Sequence, residues 1–390
     1  MQSNLLLNNK VILVLSPQSW GKMMLAKHHY ALELAKAGNQ VFFLNPPDNN
    51  HWSLRKASDR IRIRVSAENP NLSIIDQELY FPYLLKFHAR KMYNRLVKKQ
   101  IRDILKTIGH RVDILWSFDL GNLFPISYFP GEIYKIFHPV DEPGDQHAIV
   151  AASGASILFS VTNEIRDKYV AYPVPSFFIN HGLADEFISE PRVPFVMGKL
   201  IQVGISGNLL RQDLDRGILL EIIEDNPGLV FNFYGSYIVS DSNIGAGTDA
   251  ETESFIEKLK SFRQVILHGV LKTRDLARQL NGMDLFLICY DIEKDQSRGT
   301  NYHKVMEYIS TGKVIVSNNI TTYKDQPVLV RMPPERTSNR LMPALFKDTV
   351  AHLDKWNSPE YADQIILFAQ QNSYERQLHE INRLISETNK

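Results

Sequence analysis

His303-Lys304-Val305-Met306-Glu307-Tyr308-Ile309-Ser310-Thr311-Gly312-Lys313-Val314-Ile315-Val316-Ser317 holds a helix, a cap and a strand in one short stretch. Val305, Met306, Tyr308 and Ile309 have the spacing of a short helix packed on a core. Gly312 supplies a left-handed C-cap, and Val314-Ile315-Val316 is an apolar, β-branched run that predicts a buried parallel strand. This is the helix-to-strand return of an α/β sheet. Lys304 and Glu307 sit three residues apart on the first turns, beside a helix N-terminus whose unpaired N–H groups and positive dipole suit a diphosphate. Lys304 would add a full charge, and Glu307 could accept hydrogen bonds from a ribose diol. The plain alternative is an i, i+3 surface pair.

Working back from this stretch, the second half of the chain alternates strands and helices. Leu200–Val203 predicts a strand, followed by the glycine-containing loop Gly204-Ile205-Ser206-Gly207-Asn208-Leu209-Leu210-Arg211 and a helix over Asp213–Asp225. Leu229–Phe233 leads to Tyr234-Gly235, Gln264–Leu267 to His268-Gly269-Val270, and Asp284–Cys289 to Tyr290, with a helix over Thr273–Leu280. The polar insertion Ser240–Thr252 is expected to be a surface loop. Asp213-Leu214-Asp215 spells Asp-x-Asp, but its place at a helix start favours N-capping over metal binding.

The first half reads the same way. Val11–Ser16, the loop Pro17-Gln18-Ser19-Trp20-Gly21-Lys22, a helix from Met23 to Ala37 closed by Gly38, and Val41–Leu44 form a β-α-β opening. No Gly-x-Gly-x-x-Gly follows the first strand, which disfavours a dinucleotide cofactor. Ile61–Val65, Leu72–Ile75, Val112–Trp116, Tyr134–Phe137, Ile157–Ser160 and Phe177–Ile179 are further strands. The fourth of these ends at His138-Pro139-Val140-Asp141-Glu142, ionisable groups at the carboxyl end of a strand, where open α/β sheets place ligands. From Leu84 to Thr107, eight Lys and Arg residues face a lone Asp103, with an apolar stripe of Leu85, Ala89, Met92, Leu96 and Ile104. Such a basic amphipathic helix lies against anionic lipid or is a solvated domain face.

The 390 residues carry a formal net charge of +1 and ordinary apolar and charged fractions, enough chain for two domains and with no call for nucleic acid. Cys289, the single cysteine, lies in the run Leu285–Cys289 and excludes a disulfide framework. No segment has the length of a signal peptide core or a membrane span, so a cytoplasmic location is expected.

Asn301, Lys304, Glu307, Tyr308, Gly312, Lys313 and the following strand resemble the nucleotide-sugar-binding signature of GT-B glycosyltransferases. The resemblance is closest to the large retaining, family-4-like (group 1) enzymes of bacterial surface polysaccharides. Their pattern is roughly Asn-Pro-x-Lys-x-x-Glu-Tyr-x-x-x-Gly-Lys-Pro-Val-Val, with Tyr302 and Val314 here in place of the two prolines. Ile179–Phe187 resembles the family's Pro-Asn-Gly-Val-Asp-x-x-x-Phe loop, with His181 in place of Asn, and Asn372-Ser373-Tyr374-Glu375-Arg376 resembles Ser-Trp-Glu-x-Arg. The resemblance implies the α/β GT-B fold: two Rossmann-like domains facing a central cleft, with the C-terminal helix crossing back. The corresponding limits are an acceptor-side domain 1–190, a nucleotide-sugar domain 191–355 and a returning helix 356–390.

It also implies His138, Asp141, Arg211 and Lys304 as catalytic residues and Gly21, Gly207, Asn208, Tyr234, Gly235, Val270, Asn301, Tyr302, His303 and Glu307 as donor-binding ones. Lys22 is a further candidate beside Gly21. As a lone histidine, His138 could equally be structural. The expected activity is metal-independent, retaining transfer of a hexose-type residue from a nucleotide sugar, without a cofactor, to a glycan or lipid-linked hydroxyl acceptor. An anionic membrane surface is a further partner through 84–107. One departure stands out, because the family's first glutamate falls on Gly299; Asp291, Glu293 or Asp295 are the available substitutes. Alternatives are a nucleotide-sugar 2-epimerase-like isomerase and a catalytically degenerate binding subunit.

Overall fold

The structure is a computed structural model and describes residues 7–21, 24–48, 51–144, 146–239 and 249–388. Lys22 and most of the 240–252 insertion lie outside the described residues. The chain forms two compact units, Met1–Asn180 with Tyr374–Lys390, and His181–Ser373.

The first unit is built on β1 (Val11–Leu15), β2 (Gln40–Leu44), β3 (Ile61–Val65), β4 (Leu72–Gln77), β5 (Ile114–Ser117), β6 (Tyr134–Phe137), β7 (Ile157–Ser160) and β8 (Ser176–Phe178). They form one sheet in the order β3-β4-β2-β1-β5-β6-β7-β8, parallel except for the antiparallel pair of β3 and β4. Helix α1 (Ala26–Lys36) follows β1. Helix α2 (Arg90–Ile108) is preceded by a separate turn of helix, Leu85–His88, and Ala89 between them leaves helical geometry (φ −141°, ψ 57°). The basic segment is therefore two helices rather than one. Its buried stripe is Tyr93, Val97, Ile101, Ile104 and Ile108, displaced from the expected one, and Met92 is exposed. The shift follows from Tyr93 and Val97 being the residues that join the hydrophobic core of the unit.

The second unit carries β9 (Gln202–Ser206), β10 (Val230–Tyr234), β11 (Val265–Gly269), β12 (Leu285–Ile288) and β13 (Val314–Ser317), all parallel, in the order β11-β10-β9-β12-β13. The order reverses between β9 and β12. In an open α/β sheet, connections leave to opposite sides at that point and open a crevice at the carboxyl ends of the strands. Around it lie α3 (Arg216–Asp225), α4 (Ala250–Ser261), α5 (Thr273–Asn281), α6 (Lys304–Ile309), α7 (Met342–Ala351) and α8 (Pro359–Gln371).

Helix α9 (Tyr374–Thr388) leaves this unit and packs on α1, where Tyr374 stacks on His29 at 4.9 Å and Tyr30 donates to Gln377 Oε1 at 2.5 Å. The unit limits differ from those read in the sequence. Residues 181–190 include a short helix that packs on α5, and α8 packs on α6, so the second unit takes both segments and only α9 returns. Among the described residues no helix is long and apolar enough to cross a membrane.

Candidate functional site

At the strand-order reversal of the second unit, β9 ends at Ser206 and opens into Gly207. Gly207 N–H donates to Tyr234 O at 2.8 Å, and Gly235 N–H donates to Gly269 O at 2.8 Å, so the loops after β9, β10 and β11 are laced by main chain. Gly235 has φ +138°, and a Cβ there would lie 1.9 Å from Gly207 O. Only glycine allows these two loops to touch.

Lys304, at the start of α6, reaches into this junction. Its Nζ donates to Ser206 O at 2.6 Å and to Tyr290 OH at 2.7 Å, and it lies 4.8 Å from the Tyr290 ring centroid. The residue is 6% exposed and, among the described residues, has no carboxylate within ion-pair distance. Two of its three donors are used by the fold, which leaves one. A buried ammonium is costly unless an anion completes it, and Glu307 interacts with this one electrostatically without reaching ion-pair distance. Ser206, Gly207, Asn208, Tyr290 and Lys304 line one small pocket.

The rest of α6 fixes this geometry. Tyr308 OH accepts from Ser206 N–H at 2.6 Å and shares a 2.8 Å hydrogen bond with Ser206 Oγ, while its ring stacks on Phe286 at 4.1 Å. Glu307 is on the next turn, its Oε1 4.0 Å from His303 Nε2. Burial raises its pKa to about 7, against the opposing pull of Lys304. His303 itself is exposed, and its ring lies 6.2 Å from that of the buried His181, whose pKa burial lowers to about 4.

Arg211 is placed differently from the expectation of an open guanidinium fork. Its Nε donates to Asp213 Oδ1 at 2.8 Å and Oδ2 at 3.0 Å, and its Nη2 also pairs with Asp213. Asp295 Oδ1 is 3.9 Å away and the Tyr290 ring 5.8 Å. The Asp213 bonds, foremost, raise the Arg211 pKa. Arg211 thus stands beside Tyr290 with one edge engaged by Asp213. The second Asp of the triplet, Asp215, caps α3 by accepting from Ile218 N–H at 3.2 Å. Asn208 makes an Asx turn, its Oδ1 accepting from Leu210 N–H at 2.9 Å.

The loop between β12 and α6 is organised on Asp295. Its buried carboxylate accepts from Ser297 N–H, Ser297 Oγ, Gly299 N–H and Tyr302 OH, at 3.0, 2.5, 3.0 and 2.7 Å. Tyr302 is therefore a buried partner of this carboxylate; burial, then Asp295, raises its pKa. Asn301 is also buried. Asp295 is engaged inside the loop, and Asp291 Oδ1 accepts from Glu293 N–H at 3.1 Å. At Gly299, φ is +67° and a Cβ would lie 2.7 Å from Asn319 O. A glutamate could not occupy that position in this loop. Tyr234 is core, its ring stacked on His268 at 4.5 Å, and Val270 is exposed just past β11.

In the first unit, His138 follows β6 and is 0% exposed. Tyr30, Trp116, Phe118 and Phe159 surround its ring at centroid distances of 5.1, 6.1, 5.2 and 5.9 Å. That is the structural alternative for a lone histidine, an imidazole packed in an aromatic cage. Asp141 is exposed, with its Oδ2 4.0 Å from Nζ of the buried Lys27, a residue not singled out in the sequence. Burial lowers the Lys27 pKa, against the pull of Asp141. Gly21 is exposed in the loop after β1, whose shape is set by His28: Leu25 N–H donates to its Nδ1 at 3.0 Å, and its Nε2 lies 3.1 Å from Ser19 O.

Sequence reasoning also passed over Tyr290, Ser206 and Asn318. Asn318 Oδ1 accepts from Tyr290 N–H at 3.0 Å and its Nδ2 donates to Tyr302 OH at 3.3 Å. The available signal was position, since Ser206, Tyr290 and Asn318 all lie at the carboxyl ends of strands.

No protein-family model matches the chain, and no curated protein does. Solved structures do. Sucrose-phosphate synthase from Thermosynechococcus elongatus superposes with a TM-score of 0.68 at 10% identity, over 96% of this chain and 98% of that one. Anabaena HepE, in complex with UDP and glucose, gives 0.63 at 14% identity over 97% and 99%. The catalytic domain of starch synthase IV from Arabidopsis thaliana, bound to ADP and acarbose, gives 0.62 at 10% identity over 98% and 99%. With its two parallel-sheet α/β units and its returning final helix, the chain has the fold of the GT-B glycosyltransferases.

Proposed function

We propose that the chain is a glycosyltransferase that moves a sugar from a nucleoside-diphosphate donor to a hydroxyl acceptor in surface-glycan synthesis. The observation that carries this is Lys304: a buried ammonium with one N–H donor left over, at the crevice end of a parallel sheet. A diphosphate is the anion that this arrangement suits best. The bound UDP and ADP of HepE and the starch synthase domain support the same class of ligand.

In the reaction the acceptor oxygen forms a bond to the anomeric carbon while that carbon's bond to the diphosphate breaks, and the proton of the acceptor hydroxyl passes to the departing diphosphate. Charge collects on the departing oxygen, where Lys304 meets it, with Arg211 as the second cation, so no divalent ion is required. Glu307 receives the ribose hydroxyls, and transfer retains the anomeric configuration. The acceptor is a glycan or a lipid-linked glycan, taken by the first unit, with α2 against an anionic leaflet.

Differential scanning fluorimetry with UDP, GDP and ADP tests the core of this. A concentration-dependent rise in Tm is expected for at least one. A panel of nucleotide sugars should then release diphosphate. Sugar interconversion without release would make the protein an isomerase, and no nucleotide binding at all would leave a binding subunit.

A further inference from the structure

A second polar cavity lies wholly within the first unit, between the start of α2 and the turns after β5 and before β7, with a volume of about 120 Å³. Lys86, Arg90 and Asn94 line one side, Asn122, Ser127 and Ser153 the other. Among the described residues, the side chains of Arg90, Asn94, Asn122, Ser127 and Ser153 make no hydrogen bond or ion pair. Lys86 Nζ donates to Gly121 O at 2.6 Å and Tyr83 OH at 3.2 Å, which holds its charge at the cavity and leaves one donor. No carboxylate lines the space. Asp119, on the same loop, accepts through Oδ2 from Leu123 N–H at 2.7 Å.

Two cations, two amides and two hydroxyls around one space are a set of hydrogen-bond donors. Their complement is a compact anion with several acceptor oxygens, and a guanidinium is the group that grips such an anion on two oxygens. At roughly 10–15 Å³ per enclosed water, the cavity has room for several waters, hence for a tetrahedral oxyanion in their place. Tyr93, Pro125 and Tyr128 complete the lining with Phe87 and Val150, the last two 64% and 40% exposed, and Leu84 beside them is 64% exposed. A polar end and an exposed apolar rim together fit an ester of phosphoric acid with its carbon substituent directed outward.

We propose that this cavity binds the phosphate group of an organic phosphate ester. The anion binding is independent of the function proposed above. The ester is either soluble or lipid-borne, and the chemistry recognised is the same.

The test is calorimetric titration of the full chain with methyl phosphate in the presence of excess UDP. Saturable binding is expected, weakened at least tenfold by Arg90→Gln and partly restored by Arg90→Lys. Circular dichroism melting of each variant checks that the fold is kept. Failure to saturate, or equal affinity in Arg90→Gln, overturns the proposal. The nucleotide reading stands or falls separately, on the Tm shift with UDP alone. Vesicles of phosphatidic acid in phosphatidylcholine distinguish the sources. Binding lost in Arg90→Gln and displaced by methyl phosphate shows a lipid-borne ester, and methyl phosphate binding without vesicle binding shows a soluble one. Vesicle binding that survives Arg90→Gln, with no methyl phosphate binding, overturns the proposal.

Discussion

Lys304 is held by Ser206 O and Tyr290 OH before any ligand arrives, so its charge is positioned in advance. Preorganised donors of this kind are worth most where charge develops, and removing one typically lowers turnover by about 10²–10³. Lys304→Ala should therefore reduce kcat by that order in a sugar-transfer assay, whereas Tyr290→Phe, which removes one hydrogen bond accepted from the ammonium, should cost about 1.5–3 kcal/mol. Wild-type turnover in Lys304→Ala at saturating donor would remove it from the chemistry. Glu307 gives a second, pH-dependent handle. Its folded pKa of about 7 lies above the 4.5 of a free glutamate, so the folded chain keeps a proton that the unfolded chain releases. The carboxylate's contribution to stability is then highest below about pH 4.5, falls as pH rises to about 7 and is flat beyond. Nucleotide affinity runs the other way, because only the carboxylate accepts two ribose hydroxyls. Calorimetry across about pH 5.5–8.5 should show affinity rising through pH 7, and Glu307→Gln should flatten the profile. The placement of Lys304, Glu307 and Tyr308 on one helix was legible because their spacing is local. Tyr290 and Ser206 were not, since their partners lie on other elements far along the chain.

The loop joining β12 to α6 shows why one expectation taken from the resemblance needs revision. Where the family's first glutamate would stand, Gly299 adopts φ +67° and its α-carbon faces Asn319 O. Gly299→Glu should therefore not create a sugar-binding carboxylate. It should lower stability by about 1–3 kcal/mol, since both the left-handed backbone and the close approach must be relieved. Chemical denaturation measures this; an undiminished midpoint with improved donor affinity would refute the steric account. Element positions were well read from the sequence. Among the described residues, each of the thirteen strands coincides, within a few residues, with an alternating or apolar run, because strand burial is written in local pattern. Helix faces were harder. The segment 84–107 has apolar residues at more than one helical spacing, and only packing into the unit's core decides that Tyr93 and Val97 turn inward. Likewise the α3 boundary moved to Arg216 because Asp215, rather than Asp213, accepts the capping hydrogen bond.

At the scale of the molecule, the doubling of α/β units was visible in the sequence, but strand order was not. The antiparallel β3 and the exchange of 181–190 and 356–373 into the second unit depend on packing between distant segments. With its apolar stripe committed to the core, α2 turns Lys91, Arg95, Lys98, Lys99, Arg102 and Lys106 outward. At about 1 kcal/mol per basic residue near an anionic surface, four in reach give about 4 kcal/mol. Co-sedimentation with anionic liposomes should be strong at low salt and fall steeply as salt rises. Equal binding to neutral liposomes, or none, would leave α2 as a solvated face. Helix α9 has a consequence of another kind. The second unit is one continuous span, 181–373, whereas the first needs α9 laid on α1. On the ribosome, the unit that begins the chain is therefore the last to be finished. Until α9 emerges, the His29 and Tyr30 surface stays uncovered, so a nascent chain halted before residue 374 carries a finished second unit and an unfinished first one, a natural substrate for chaperones.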